Sequence, residues 1–236
     1  MGTTIEILDP AEFHHLKNVL RLKLHAPVTI FDGKGQEAFG IIAAIKKSSA
    51  TVQLQKVKKS EETKPRLILA CAIPKNAKFE FIIEKCTELG IDELIPMQTS
   101  RTIVRFSTQQ KEKKFLRYQT VALNAAKQCV RSMIPRIHPV TSFTQVLRQR
   151  SPNGLGLIPI LFGNRQLLLP ALQQAISAPQ IIFLIGPEGD FTKEEGAAAG
   201  AAGFSPVSLG PTTLKVDTAA ISVVAAAHFV FDAHSP

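Results

Sequence analysis

The feature that most constrains the fold is an apolar run, Ile181-Ile182-Phe183-Leu184-Ile185, that passes directly into Gly186-Pro187-Glu188-Gly189-Asp190. A short run with no polar alternation reads as a strand covered on both faces, the signature of a parallel sheet. Parallel strands need long crossover connections, usually helices. The rest of the chain supplies both. Residues 67–73, 93–97, 155–162 and 206–209 are further apolar strands with helical patterns between them. In one such pattern Phe79, Ile82, Ile83, Cys86 and Leu89 recur at helical spacing. Asn76 stands where an N-cap belongs and Gly90 where a glycine ends a helix. Residues 111–130 form a longer helix, with Phe115, Val121, Ala122, Ala125 and Cys129 as its apolar stripe. Its Lys113, Lys114 and Arg117 suit a solvated face as well as contact with an anionic partner. The expected class from residue 66 onward is α/β with a mainly parallel sheet.

Residues 1–65 follow another pattern. Val28-Thr29-Ile30-Phe31 and residues 38–45 and 51–57 read as strands, and Asp32-Gly33 supplies a tight turn between two of them. Residues 10–20 read as a short helix carrying His14 and His15. A small β-barrel or sandwich is expected. The charged stretch 56–64 makes a linker, which divides the chain into domains 1–65 and 66–236.

Composition narrows the partners. A formal charge of +9 favours a polyanion. Trp is absent and Tyr118 is the only tyrosine, so phosphate contact through Lys and Arg is expected over base stacking. Cys71, Cys86 and Cys129 are far apart and form no Cys/His cluster, so no metal and no disulfide is expected. No apolar run reaches membrane-spanning length, and residues 1–9 lack the pattern of a signal peptide, so the expected address is the cytoplasm.

The Gly186–Gly189 loop stands at the carboxyl end of a parallel strand, where open α/β sheets bind their ligands. A second turn, Leu209-Gly210-Pro211, ends the next strand and leads to Asp217-Thr218-Ala219 at the head of the last helix. Neither loop is a P-loop or a dinucleotide fingerprint. Thr192 and Glu195 have the spacing of a capping box. Asp217 reads as a helix cap as readily as a general base.

These motifs together resemble the RsmE family of SPOUT RNA methyltransferases. His14-His15-Leu16 with Val19-Leu20-Arg21 resembles the start of that family's PUA-like barrel, and Asp32-Gly33 its first hairpin. Residues 84–90 with Pro96, then Gln128-Cys129-Val130-Arg131 with Pro135, match its early and middle catalytic motifs. Residues 184–189 and 209–219 match its last two loops. The resemblance implies a PUA-like β-barrel followed by a SPOUT domain with a C-terminal trefoil knot. It also implies a homodimer that methylates N3 of a uridine in 16S rRNA of the small ribosomal subunit, with S-adenosyl-L-methionine as donor.

The resemblance implies a donor pocket formed by Leu161, Leu184, Ile185, Gly186, Pro187, Gly189, Leu209, Gly210 and Leu214. Leu184 and Ile185 are equally natural as core residues. Arg131 and Lys215 are expected to hold the uracil or its phosphate. Asp217 is expected to act as base or to orient the basic side chains. His15, Arg21, Arg101, Arg105 and Gln128 are the expected RNA contacts. The chain departs from the family pattern at residues 124–128, which lack the usual glutamates, and at Asp190, where a glycine is usual. Thr212, Lys215 and Asp217 stand where two arginines and a glutamate are usual.

Overall fold

The computed structural model describes residues 3–59, 65–75, 78–102, 106–175 and 177–232. The chain divides into two compact units, Met1–Glu61 and Glu62–Pro236.

The first unit contains strands β1 (Thr4–Ile7), β2 (Pro27–Phe31), β3 (Gln36–Ile45) and β4 (Ala50–Lys59), with helix α1 (Pro10–His14) after β1. The strands form an antiparallel sheet in the order β1-β4-β3-β2. The Asp32 carboxylate closes the β2–β3 turn by accepting from the Lys34 and Gln36 amides at 2.7 and 3.0 Å. Asp9 caps α1 by accepting from the Ala11 and Glu12 amides. The single helix expected over residues 10–20 is instead divided. After His14 the chain widens into a π-helical turn, His15–Val19, in which the Leu20 amide donates to the His15 carbonyl. Phe13 and Leu16, one from each part, are buried with Ile42 and Ala50.

The second unit is built on an eight-stranded sheet. Its elements in chain order are β5 (Arg66–Ala72), α2 (Lys78–Glu88), β6 (Glu93–Gln98), α3 (Thr108–Gln128), β7 (Arg136–Ile137), β8 (Thr141–Ser142) and α4 (Phe143–Leu147). There follow β9 (Leu155–Pro159), β10 (Gln166–Leu167), α5 (Leu168–Gln173), β11 (Gln180–Ile185), α6 (Lys193–Ala201), β12 (Phe204–Ser208) and α7 (Val216–Asp232). The strand order is β10-β12-β9-β11-β5-β6-β7, with β8 also on β6, and every pairing is parallel.

Both faces are covered, which explains the unbroken apolar strands. Side chains alternate across a strand. On β5, Leu67, Leu69 and Cys71 join a core with Phe79, Ile83, Tyr118 and Val224, while Ile68 and Ala70 join another with Phe143, Phe191 and Phe204. The long helix begins at Thr108, earlier than its apolar stripe suggests, because Ser107 and Gln110 form a capping box there. Tyr118, outside the expected stripe, is buried against Phe79 with ring centroids 4.9 Å apart. Asn76 lies outside the described residues. Among them, no helix is long and apolar enough to cross a membrane.

Candidate active site

The loops that follow β9, β11 and β12 enclose a cavity of about 280 Å³ at the carboxyl ends of those strands. In the sheet the order is β12-β9-β11, so the two glycine turns are not on adjacent strands. The strand between them, β9, ends at Pro159, and its loop supplies Ile160 and Leu161 to the cavity.

Of the nine residues expected to hold the donor, eight line this cavity: Leu161, Ile185, Gly186, Pro187, Gly189, Leu209, Gly210 and Leu214. Leu184 does not. It is fully buried on the opposite face of β11 with Ile182 and Phe191, because neighbouring strand residues point to opposite faces. Sequence reasoning missed Arg165, Asp190 and Ser208, which also line the cavity.

The glycines have distinct physical roles. A Cβ on Gly186 would stand 3.0 Å from the Phe191 ring, so a larger residue there needs that ring to give by a few tenths of an ångström. Gly189 and Gly210 have φ of +92° and +119°, a region that disfavours other residues, and a Cβ on either would meet nothing within 4 Å. Thr192 and Glu195 form the expected capping box on α6. The buried Glu195 does more: Oε2 accepts from the Thr192 amide at 2.9 Å, and Oε1 from the Ser100 amide in the loop after β6 at 2.8 Å.

Arg101, an expected phosphate contact, lies in that same loop. Its Nη1 donates to the Gly189 carbonyl and, at 3.4 Å each, to those of Asp190 and Phe191. Part of its hydrogen-bonding capacity therefore holds the cavity loop. Lys215 and Thr212 line the cavity and are exposed. Asp217 lies in the first turn of α7 and outside the cavity lining. Its Oδ2 is 3.7 Å from Lys78 Nζ, and its Oδ1 accepts from the Thr218 amide at 3.2 Å. These contacts fit an orienting residue better than a free base.

Arg131 was expected to hold the uracil or its phosphate. It does not line the cavity. Its guanidinium donates to the carbonyls of Thr87, Gly90 and Ile91 and, at 3.2 Å, to the Asp92 carboxylate. Asp92 in turn accepts from the Leu67 amide at 2.8 Å. These groups stand beyond the carboxyl end of α2 and at the amino ends of β5 and β6. Burial pulls the Arg131 pKa down, while Asp92 opposes that shift. The side chain closes a helix end and stands apart from the cavity lining.

His15 is half-buried in the π-helical turn, and Arg21 is exposed with φ of +51°. Gln128 is exposed at the end of α3, and Arg105 lies outside the described residues. Among the described residues, no group of His, Cys, Asp and Glu is arranged to hold a metal ion. Burial pushes the Cys71 and Cys86 thiols well up, so neither is an activated nucleophile.

A family model described as an RNA methyltransferase domain matches residues 61–228, and one described as an RNA methyltransferase PUA domain matches residues 8–55. The ribosomal RNA small subunit methyltransferase E of Synechocystis is 33% identical over 213 residues, covering 90% of this chain and 69% of that protein. That of Mesomycoplasma hyopneumoniae is 30% identical over 91% of this chain and 90% of its own length. The chain belongs to the ribosomal RNA small subunit methyltransferase E family. A crystal structure of the methyltransferase E of Neisseria gonorrhoeae, bound to S-adenosyl methionine, has a TM-score of 0.84. It is 27% identical and covers 98% of this chain and 93% of that one. A Legionella pneumophila protein solved with the cofactor SAM has a TM-score of 0.82 at 29% identity, covering 99% of this chain and 93% of that one. As in the expectation from sequence, this member of the methyltransferase E family joins a β-rich unit to an α/β unit with a parallel sheet.

Proposed function

We propose that the chain transfers a methyl group from S-adenosyl-L-methionine to N3 of a uridine near the 3′ end of 16S rRNA in the small ribosomal subunit. The observation that carries this reading is the cavity at the ends of β9, β11 and β12, within a fold that matches a family member bound to that donor along nearly its whole length. The residues fit the donor. Ile185, Leu209 and Leu214 offer apolar surface to an adenine ring, and the turns at Gly189 and Gly210 present backbone where a Cβ would face open space. The acidic Glu188 suits a cationic sulfonium, and Arg165 and Lys215 suit a carboxylate.

When bound, the donor supplies an electrophilic methyl group. The protein's task is to place uracil N3 in line with it and to assist loss of the N3 proton. Orientation supplies much of the rate gain. Lys215, exposed on the cavity wall, is suited to stabilise negative charge developing on a uracil carbonyl oxygen. Asp217 holds Lys78 beside it and serves as an orienter. The target base must leave its stack to reach the cavity. Arg21 and His15 in the N-terminal unit, and Gln128 with Arg101 in the second, are the proposed RNA contacts.

The reading includes the trefoil-knotted course and the homodimer of the family. Light scattering should then give twice the chain mass of 25.7 kDa. The decisive experiment is mass-spectrometric mapping of rRNA from a strain lacking the gene. Loss of one 3-methyluridine, restored on complementation, is expected. An unchanged map sinks the assignment. If titration calorimetry nevertheless shows donor binding, a different RNA target is indicated, whereas no binding at millimolar donor leaves a non-catalytic RNA-binding protein.

A further inference from the structure

The loops after β9 and β11 come from strands adjacent in the sheet, yet their backbones have left the ladder where they meet the cavity. Asp190 joins them. Its Oδ2 accepts from the Leu161 amide at 2.7 Å, and its Oδ1 accepts from the Phe191 amide at 2.8 Å. Both carboxylate oxygens are therefore engaged, one in each loop. The residue holds a φ of +65°, a left-handed conformation that Asp tolerates better than most residues because its short side chain bonds locally.

The surroundings make this tie consequential. Leu161 is 53% exposed, so its packing alone holds it weakly. The preceding carbonyl, that of Ile160, accepts from Arg165 Nη1 at 3.0 Å. On the other side, Arg101 from the loop after β6 holds the Gly189 carbonyl. The loop after β11 is thus braced from both directions, and Asp190 is the side chain that couples it to the β9 wall. Leu161, Arg165, Gly189 and Asp190 all line the cavity.

We propose that Asp190 is a positioning residue for the donor, whose carboxylate fixes the Leu161 wall against the Gly186–Gly189 loop and so presets the cavity's width. This rests on reading the cavity as the donor site. A preset wall lowers the ordering cost of binding and should affect donor affinity more than the chemical step.

The test combines three substitutions with calorimetry, steady-state kinetics and amide exchange on the full chain. Asp190→Ala removes both acceptors. It should weaken S-adenosyl-L-methionine binding about tenfold and raise the donor KM alike, with kcat at saturating donor within about threefold. Asp190→Asn keeps one acceptor oxygen and should lose only about threefold. Asp190→Gly relieves the left-handed backbone but restores no acceptor, so its affinity should match the alanine variant. The Leu161 amide should exchange faster in the alanine and glycine variants without donor.

Unchanged donor affinity with unchanged Leu161 exchange overturns the proposal. So does a fall in kcat with donor affinity intact. Should the alanine variant fail to fold, the near-isosteric asparagine variant decides by the same readouts. Absence of donor binding by the unsubstituted chain is a different failure: it removes the donor reading, and the positioning role with it, while Leu161 exchange still reports whether the tie exists.

Discussion

The two ends of the parallel sheet use polar side chains in opposite ways. At the amino ends they satisfy one another. Arg131 closes on the end of α2 and Asp92. Glu93, at the start of β6, accepts from His138 Nε2 and pairs with Arg66 at 3.1 Å. Arg150 donates to the carbonyls of Ser151, Gly154 and Ala202, and the buried Gln180 accepts from the Ser151 amide. At the carboxyl ends, Arg101, Asp190 and Glu195 brace the loops from behind and leave a cavity in front. An arginine in a motif does not declare which end it serves. Arg131 and Arg101 both donate to backbone carbonyls, and only the fold shows that one closes a helix and the other supports a loop of the cavity.

The contrast can be broken by substitutions at either end. The largest effect is expected for Arg131→Ala. It removes the ion-pair partner of the Asp92 carboxylate and one donor from each of three carbonyls, in a site where the Arg131 side chain is only 16% exposed. Removing one partner of such a pair costs about 3–5 kcal/mol. Denaturant unfolding should show that loss, while donor affinity measured on the folded fraction stays within about threefold. A stable variant that has lost donor binding would instead move Arg131 to the active end.

Next is the Glu93 cluster. The hydrogen bond from His138 holds its carboxyl below the usual value of 4.5, with Arg66 and Arg136 assisting and burial opposing. The folded-state value is therefore depressed. Its contribution is fully present above 4.5 and is lost as pH falls below it through the folded value. Glu93→Gln should cost about 1–3 kcal/mol at neutral pH and flatten the acid limb of a stability-versus-pH curve. An acid limb of unchanged slope would remove Glu93 from this account.

At the carboxyl end the expected signature is reversed. Lys215→Ala should lower kcat about tenfold, about 1.4 kcal/mol, with melting temperature unchanged. Wild-type turnover would exclude the lysine from the reaction. The smallest effect is expected for Arg101→Ala. Its side chain is exposed, so global stability should hold, but donor affinity should fall by roughly two- to fivefold as the Gly189 loop loosens. Equal donor affinity would mean that the loop holds its shape without this brace.

Local chemistry was legible in the sequence wherever partners lie close along the chain. The capping box at Thr192 and Glu195, the Asp32 turn and the glycine after α2 all concern residues a few positions apart. The buried apolar strands were legible because parallel packing leaves no polar face. What the chain did not disclose are contacts set by sheet order. Glu195 to Ser100 spans 95 residues and Arg131 to Ile91 spans 40. Asp190 was visible only as an aspartate in a glycine's place, with nothing local to say that its partner was the Leu161 amide. Leu184 and Ile185 were inseparable as adjacent apolar residues until the sheet assigned them opposite faces.

The pairing of β5 with β11 has a consequence for biosynthesis. It joins Arg66 to Gln180 and Cys71 to Ile185, so β5 waits for one of its two neighbours, made more than a hundred residues later. Closing so long a loop is entropically slow, and local helices cannot substitute for it. The cavity waits longer still, because its walls include Leu214, Lys215 and Ala219. A nascent chain on the ribosome therefore has no completed cavity until the first turn of α7 has emerged. Pulse-labelled chains should acquire protease resistance in the second unit only once residues 214–219 have emerged, as a single late event.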